Sequence, residues 1–122
     1  MYTISKKFNF SASHELKQLP EGHPCRNCHG HNYIAELVLQ SEKLNKYAFV
    51  RDYGELSILK KYINDNLDHR HLNDIFDFEI TAENIAKHLF DFCKKHWPET
   101  AAVRVSETLN TWAVYSEGNY QV

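Results

Sequence analysis

The sequence predicts an α+β fold in which four antiparallel strands form one sheet and two helices cover one face of it. Two long segments near the N-terminus alternate between apolar and polar residues, two helical patterns follow, and two short strand-like segments end the chain. Strands grouped on either side of two helices are typical of an antiparallel sheet with its helices on one side. The length of 122 residues suits a single domain, which we place at 1–122.

Alternation with a period of two predicts the first two strands. One face of the first strand carries Ile4, Lys6, Phe8, Phe10, Ala12 and His14. One face of the second carries His29, His31, Tyr33, Ala35, Leu37 and Leu39. If the two strands pair antiparallel across the intervening loop, His14 lies opposite His29 and His31, and three imidazoles converge at the base of a hairpin.

The first helix is predicted from Asp52, because Asp52 and Glu55 have the spacing of a capping box. An apolar stripe at helical spacing follows, made of Leu56, Leu59, Ile63 and Leu67. This stripe predicts that the helix packs against the sheet.

The second helix is predicted from Thr81, a favourable N-cap residue, and ends before Pro98. We expect its buried face to consist of Ile85, Leu89, Phe92 and Cys93. The segments "AAVRVSETL" and "TWAVYSEGN" after it read as the last two strands.

Composition argues against several classes of protein. A formal net charge of −2 gives no electrostatic footprint for nucleic acid. No segment approaches the roughly 18 consecutive apolar residues of a membrane helix, and the N-terminus lacks the apolar region of a secretory signal. Three cysteines are an odd number, which fits a reducing cytoplasmic setting better than a disulfide framework.

The stretch "CRNCHGHNY" supplies several metal ligands within a few residues. His14, His29 and His31 would form a site of the catalytic kind, with three protein ligands and one open position. Cys25 and Cys28 with the two histidines of this stretch would form a structural zinc site, although its ligand pairs usually stand a dozen residues apart. Cys25 and Cys28 could also be a redox pair, but the strand-then-helix context of such pairs is missing. Spacing favours the three-histidine site and leaves the other two open.

Six motifs in order extend over nearly the whole chain: "FNFSASH", "CRNCHGHNY", "VRDYGELS", "LDHRHLN", "TAENIA" and "VSET". Together they resemble the 6-pyruvoyl-tetrahydropterin synthase / 6-carboxytetrahydropterin synthase family. The resemblance implies a T-fold, in which a four-stranded antiparallel sheet with two helices assembles into trimeric barrels. It further implies a homohexamer made of two stacked trimers, with active sites between subunits.

The resemblance also implies roles for individual residues. The zinc ligands would be His14, His29 and His31. The catalytic residues would be Cys25, from the family pattern C-x-x-x-H-G-H, together with Asp68 and His69. Glu107 would anchor the pterin ring, and Thr81 and Glu83 would support it.

The substrate implied by the resemblance is 7,8-dihydroneopterin triphosphate. The leading interpretation is a zinc-dependent lyase of queuosine and other deazapurine biosynthesis that forms 6-carboxytetrahydropterin and releases acetaldehyde and triphosphate. One alternative is 6-pyruvoyltetrahydropterin formation, in which triphosphate is eliminated and the two-carbon fragment is kept. Another is a zinc-binding or pterin-binding module without catalysis.

Some residues depart from the family pattern or have no implied role. We expect Cys28 to face away from the metal and to pack as a buried apolar residue. Arg51 replaces a usually apolar residue and could alter the substrate pocket or a subunit contact, while His71 is expected to lie on the surface. The residues that bind the triphosphate are not identified, and the candidates among the arginines are Arg26, Arg51, Arg70 and Arg104.

Overall fold

The computed structural model describes residues 1–118 and 120 as the predicted α+β arrangement. Its elements in chain order are β1 (Tyr2–His14), β2 (His29–Ser41), α1 (Ser57–Asn66), β3 (Arg70–His71), α2 (Ala82–His96), β4 (Thr100–Thr108) and β5 (Thr111–Ser116). The predicted last strand "TWAVYSEGN" extends to Asn119, which lies outside the described residues, as do positions 121 and 122 of the proposed domain. In the described part of the chain, no helix has the length and apolar character needed to span a bilayer.

One sheet contains all the strands, in the order β3-β1-β2-β4-β5. The four long strands pair antiparallel, as predicted, whereas β3 adds two residues in parallel next to Ala12 and Ser13 of β1. The fifth strand corrects the predicted count of four. It could not be read from periodicity, because two residues are too few to show an alternation.

The pairing of β1 with β2 has the register that the alternation required. It runs without a bulge from the Tyr2–Ser41 pair to the His14–His29 pair, and it sets His31 opposite Ala12. On β1 the side chains of Phe8, Phe10, Ala12 and His14 are buried while the residues between them are more exposed. The predicted inward face is therefore confirmed.

The apolar stripe of α1 packs into the core. Leu56, Leu59, Ile63 and Leu67 are buried together with the inward residues of the sheet. Asp52 caps a short 3-10 turn at Tyr53–Leu56 rather than the α-helix itself. The carboxylate of Glu55 bonds to Arg51 instead of reaching back to the cap, so the predicted capping box is only half formed.

The second helix begins after Thr81, whose hydroxyl accepts a hydrogen bond from the backbone N–H of Asn84 at 3.2 Å. The buried residues of α2 are Ile85, Ala86, Leu89, Phe90 and Cys93. Phe92, which was expected on this face, is only half-buried and stacks on Tyr62 of α1. The width of a helix's buried face depends on what the neighbouring elements cover, so a residue at its border, such as Phe92, can remain partly exposed.

Arg51 joins the loop before α1 to the turn before β4. Its Nε and one terminal nitrogen donate to the two carboxylate oxygens of Glu99 at 3.0 and 2.9 Å, and the other donates to Glu55 at 2.9 Å. A guanidinium held by two carboxylates is a strong, oriented contact. Within the chain Arg51 thus connects two segments of the fold and does not line the cavities described below.

The core position Leu59 and its exposed neighbour Ile58 provide a matched pair for a stability measurement. Leu59 is 0% exposed and Ile58 is 45% exposed. Leu59→Ala should lower the free energy of unfolding by about 2–5 kcal/mol, since it leaves a cavity in a packed interior. Ile58→Ala should change it by at most about 0.5 kcal/mol. Urea unfolding followed by circular dichroism measures both, and equal losses would contradict this placement of α1.

Candidate metal centre

Three histidines converge at the base of the β1–β2 hairpin, as the alternation predicts. His14, His29 and His31 each offer one ring nitrogen, and these three atoms lie within 4.8 Å of one another. The Nε2 atoms of His14 and His29 are 2.9 Å apart. His14 is buried, and the other two are half-buried.

Two backbone carbonyls orient these rings. Nδ1 of His14 donates to the carbonyl oxygen of Ile80 at 2.7 Å, and Nδ1 of His29 donates to that of Asn27 at 2.6 Å. A carbonyl oxygen only accepts, so the ring proton of each neutral imidazole resides on Nδ1 and Nε2 carries a lone pair. Two lone pairs then face each other across 2.9 Å, an arrangement that a cation between them would stabilise.

The third histidine has an unpaired nitrogen. Nε2 of His31 is buried and, among the described residues, has no hydrogen-bond partner, while Oε2 of Glu107 lies 3.6 Å away. Burial lowers the pKa of His14 and of His31, which favours the neutral form that binds metals. The set of donors therefore fits a divalent metal ion with three imidazole ligands and an open position.

The two cysteines stand apart from this cluster. Among the described residues, the group of possible metal ligands contains three histidines and no thiol. The structure thus favours the three-histidine site over the structural site that would have used Cys25 and Cys28.

Cys25 lies in a 3-10 turn, Pro24–Arg26, and is half-buried. Its N–H donates to Nδ1 of His23 and its carbonyl oxygen accepts from the N–H of Leu16, both at 3.1 Å. Because Leu16 also lines the cavity described below, this backbone bond ties the Cys25 turn to the wall of that cavity.

The expected burial of Cys28 is wrong. Cys28 is exposed, and its Sγ lies 3.9 Å from Nδ1 of His71. The prediction fails because β2 begins only at His29, so the alternation of this strand does not apply to Cys28. His71 was expected at the surface but is half-buried, and its Nδ1 is 2.8 Å from the hydroxyl oxygen of Ser13.

A cavity of about 400 Å³ brings together the three residues to which the resemblance assigned pterin contacts. Thr81, Glu83 and Glu107 line it, with Leu16, Ala82, Val105 and the β5 segment 111–114. Burial raises the pKa of the Glu107 carboxyl; nearby His29 opposes this shift and Glu83 adds to it. The contact of Glu107 with His31 places this cavity beside the three imidazoles.

Asp68 and His69 form a contact at a different place. Oδ1 of Asp68 accepts from the N–H of Ser11 at 2.9 Å, and Oδ2 lies 3.0 Å from Nδ1 of His69. The Ser11 N–H, with a smaller effect from His69, lowers the pKa of Asp68. His69 has a φ of 59° and donates its own N–H to the carbonyl oxygen of Ser11, so the backbone holds the ring outward.

His69 is 82% exposed and lines a recess different from the Glu107 cavity. The structure therefore brings Asp68 and His69 into contact, but within the described chain neither lines the cavity that holds Glu107.

Sequence reasoning missed two backbone groups and one side chain of this site. The carbonyl groups of Ile80 and Asn27 carry no signal of their own in the sequence. The side chain of Tyr33 does carry a signal, because it continues the inward face of β2, and its hydroxyl lies 3.3 Å from Nδ1 of His14. Burial, with a contribution from Glu107, raises the pKa of Tyr33, so its hydroxyl remains protonated beside the cluster.

Comparisons with known proteins show the family to which this chain is related. The family model described as 6-pyruvoyl tetrahydropterin synthase matches residues 3–118. The chain belongs to this family.

Two curated relatives and one solved structure extend this result. The 6-carboxy-5,6,7,8-tetrahydropterin synthase of Synechocystis is 33% identical over 94% of this chain and 93% of its own. The 6-pyruvoyl tetrahydrobiopterin synthase of Dictyostelium discoideum is 31% identical over 92% and 93%. The structure of Caenorhabditis elegans 6-pyruvoyl tetrahydropterin synthase superposes with a TM-score of 0.83 at 26% identity and covers 96% of each chain. The T-fold expected from the sequence is confirmed for the single chain, with the fifth strand noted above.

The metal site can be tested by metal analysis. The purified protein should hold about one divalent ion per chain. His14→Ala, His29→Ala and His31→Ala should each lose it, because each removes one of only three ligands. His96→Ala, an exposed histidine of α2, is the matched control and should keep the ion. Inductively coupled plasma mass spectrometry measures this, and a fully loaded His31→Ala variant would contradict the proposed ligand set.

Proposed function

We propose that this protein is a zinc-dependent 6-carboxy-5,6,7,8-tetrahydropterin synthase. It would convert 7,8-dihydroneopterin triphosphate to 6-carboxytetrahydropterin, acetaldehyde and triphosphate in queuosine and deazapurine biosynthesis, in the cytoplasm. The observation that supports this most directly is the half-buried carboxyl of Glu107 beside three converging imidazoles, at the edge of a cavity large enough for a bicyclic ring.

Glu107 is the proposed anchor of the pterin. The aminopyrimidine edge of a pterin presents two neighbouring N–H donors, and one carboxylate can accept both, as it does from a guanidinium. The carboxylate sits on β4 between the buried Val105 and the turn to β5, in a partly desolvated place where an unpaired charge is costly. Thr81 and Glu83 at the start of α2 line the same cavity and would contact the same ligand.

Zinc is the proposed metal, because three imidazoles with an open position form a common catalytic zinc site. When bound, it would act as a Lewis acid toward the hydroxyl groups of the pterin side chain. The chain's own contribution is to hold the three imidazole rings in place. The carbonyl of Ile80 orients His14, and the carbonyl of Asn27 orients His29.

Cys25 is the proposed general base. As a thiolate it would take the proton from the side-chain carbon attached to the pterin ring, and triphosphate would then leave by elimination. A thiol needs a positive neighbour to ionise near neutral pH, and a metal-bound cluster at the foot of the same loop would supply it. The backbone bond from Leu16 to Cys25 supports this role, since it links the thiol's turn to the cavity wall.

His69, oriented by Asp68, is the proposed second acid–base group. We propose that it reaches the substrate from a neighbouring copy of the chain. The sheet has two incompletely paired sides: β5 at one edge, and β1 at the other, where β3 covers only two residues. The Glu107 cavity adjoins the β5 edge and the His69 recess adjoins the β1 edge. Pairing β1 of one copy with β5 of the next, within a homohexamer of two trimers, would bring the two together.

The closest alternative is a 6-pyruvoyltetrahydropterin synthase, which shares the substrate and the early proton transfers. Relatives with both names match this chain at similar identity. The C-x-x-x-H-G-H spacing that ends at His31 favours the carboxy product. A zinc-binding or pterin-binding module without turnover is the second alternative.

A product assay separates these three functions. The metal-loaded protein incubated with 7,8-dihydroneopterin triphosphate should yield 6-carboxytetrahydropterin and acetaldehyde, identified by mass spectrometry. A pyruvoyl product would select the first alternative, and no turnover of any dihydropterin would select the second.

The two cysteines give a matched pair for the base. Cys25→Ala should keep its metal and lower turnover by about 10²–10⁴-fold, the usual contribution of a positioned base. Cys28→Ala makes the same substitution at an exposed position three residues further along the chain, and this variant should keep most of the activity. Steady-state rates with metal content measured on the same samples test this. An inactive Cys28→Ala beside an active Cys25→Ala would reverse the assignment.

Glu107→Gln tests the anchor, because it keeps the shape and replaces one acceptor oxygen with a donor. Binding of 7,8-dihydroneopterin should weaken by about 1–3 kcal/mol, since a pterin N–H would then face an amide N–H. Glu42→Gln, at an exposed position on the loop after β2, should leave binding unchanged. Fluorescence titration of the metal-loaded variants measures both, and equal affinities would remove Glu107 from the site.

A further inference from the structure

The four arginines of the chain differ in what holds them. Arg51 is bound by Glu99 and Glu55, Arg104 by Glu36 at 2.6 Å, and Arg26 lies 3.8 Å from Glu21. Within residues 1–118 and 120, Arg70 forms no ion pair, and its recorded hydrogen bond runs from one terminal nitrogen to the backbone oxygen of Asp65 at 3.2 Å. Arg70 is therefore the arginine that no carboxylate of the described residues neutralises.

Arg70 lines a recess of about 440 Å³ at the β1 edge of the sheet. The other residues that line it are Ser11, Ala12, Ser13, Gly30, His31, Asn32, His69 and His71. This set contains one arginine and three histidines, two hydroxyl groups and a side-chain amide, and it contains no carboxylate. The recess is thus rich in donors and has no acidic group in its lining.

Contacts beneath the recess keep these donors in place. The hydroxyl of Ser11 donates to Oδ1 of Asn32 at 2.7 Å, which leaves the amide nitrogen of Asn32 as a donor. The hydroxyl of Ser13 lies 2.8 Å from His71, and pairing of Ser13 with His71 in the sheet fixes the β3 backbone that carries Arg70. Three carboxylates lie next to lining residues without lining the recess themselves. Asp68 is occupied by the Ser11 N–H and by His69, Glu15 lies 3.6 Å from Nε2 of His71, and Glu107 lies 3.6 Å from Nε2 of His31.

We propose that this recess is an oligophosphate-binding subsite with Arg70 as its principal ligand, and that it receives the triphosphate of the substrate. The planar guanidinium matches the oxygens of a phosphate group in bidentate geometry. An acid-free recess is needed, because a carboxylate in the lining would repel an anion of several negative charges. Only the identity of the anion as the substrate's triphosphate rests on the proposed function.

Inorganic triphosphate is the probe, because it contains the anion without the pterin. Isothermal titration calorimetry of the metal-loaded protein should give about one site per chain. Arg70→Gln should weaken binding by about 10- to 100-fold, the effect expected for a lost charge-assisted pair. Lys61→Gln is the matched control: it removes one positive charge from an exposed residue of α1 outside the recess, and it should change binding by less than about twofold.

Three results of this titration would overturn the proposal. The first is unchanged affinity in Arg70→Gln, and the second is no binding by the wild-type protein. The third is binding that is lost when the metal is stripped from the wild-type protein and that does not depend on Arg70, since the anion would then be a metal ligand.

A measurement on the wild-type protein distinguishes a loss of binding from misfolding of the variant. The Nε–H resonance of Arg70 in the wild-type protein should shift when inorganic triphosphate is added, and this needs no substitution. An unshifted signal would overturn the proposal even if Arg70→Gln did not fold.

Failure of the subsite and failure of the proposed function give different results. Arg70-dependent triphosphate binding without turnover of any dihydropterin would leave the subsite standing and remove the function. Turnover of the pterin triphosphate with the same KM in wild type and Arg70→Gln would leave the function standing and remove the subsite. Under the proposal, Arg70→Gln raises KM for the triphosphate and leaves the affinity for 7,8-dihydroneopterin unchanged.

Discussion

The register of β1 against β2 is the constraint on which the rest of the structure depends. It sets His14 opposite His29 and His31 opposite Ala12, and so it creates the cluster of three rings. A slip of one residue would turn every inward side chain of a strand to the other face. Such a slip would also expose Phe8, Phe10 and the inward residues of β2, so the burial of the core and the geometry of the metal centre are stabilised by the same pairing.

The parts of the fold that come from repeated patterns could be predicted from the sequence. The alternation toward His14 and His29, the stripe of α1 and the cap at Thr81 each involve several residues that agree. The two-residue strand β3 and the exposed position of Cys28 could not, because each depends on where a neighbouring segment ends. The carbonyl groups that orient His14 and His29 depend on tertiary contacts that no side-chain pattern shows.

The site residues named by the resemblance fall into two groups in space. Glu107, Thr81 and Glu83 meet in one cavity beside the histidines, and Asp68 with His69 meets Ser11 at the opposite side of the sheet. The order of the strands explains this division, since β5 and β1 lie on the two sides of the long antiparallel sheet. Sequence motifs list both groups together because a motif records which residues occur in order along the chain, and it carries no information on where they lie in space.

The electrostatics of the metal centre connect binding to folding. Without a cation, two lone pairs face each other at the His14–His29 contact and a buried nitrogen of His31 has no partner among the described residues. Both arrangements cost free energy in a buried place. A bound metal would relieve them and would therefore stabilise the base of the hairpin as well as activate a ligand. Because the Cys25 turn and β2 lie next to this same base, a metal bound by the three histidines would also hold the loop that carries Cys25 against the cavity wall.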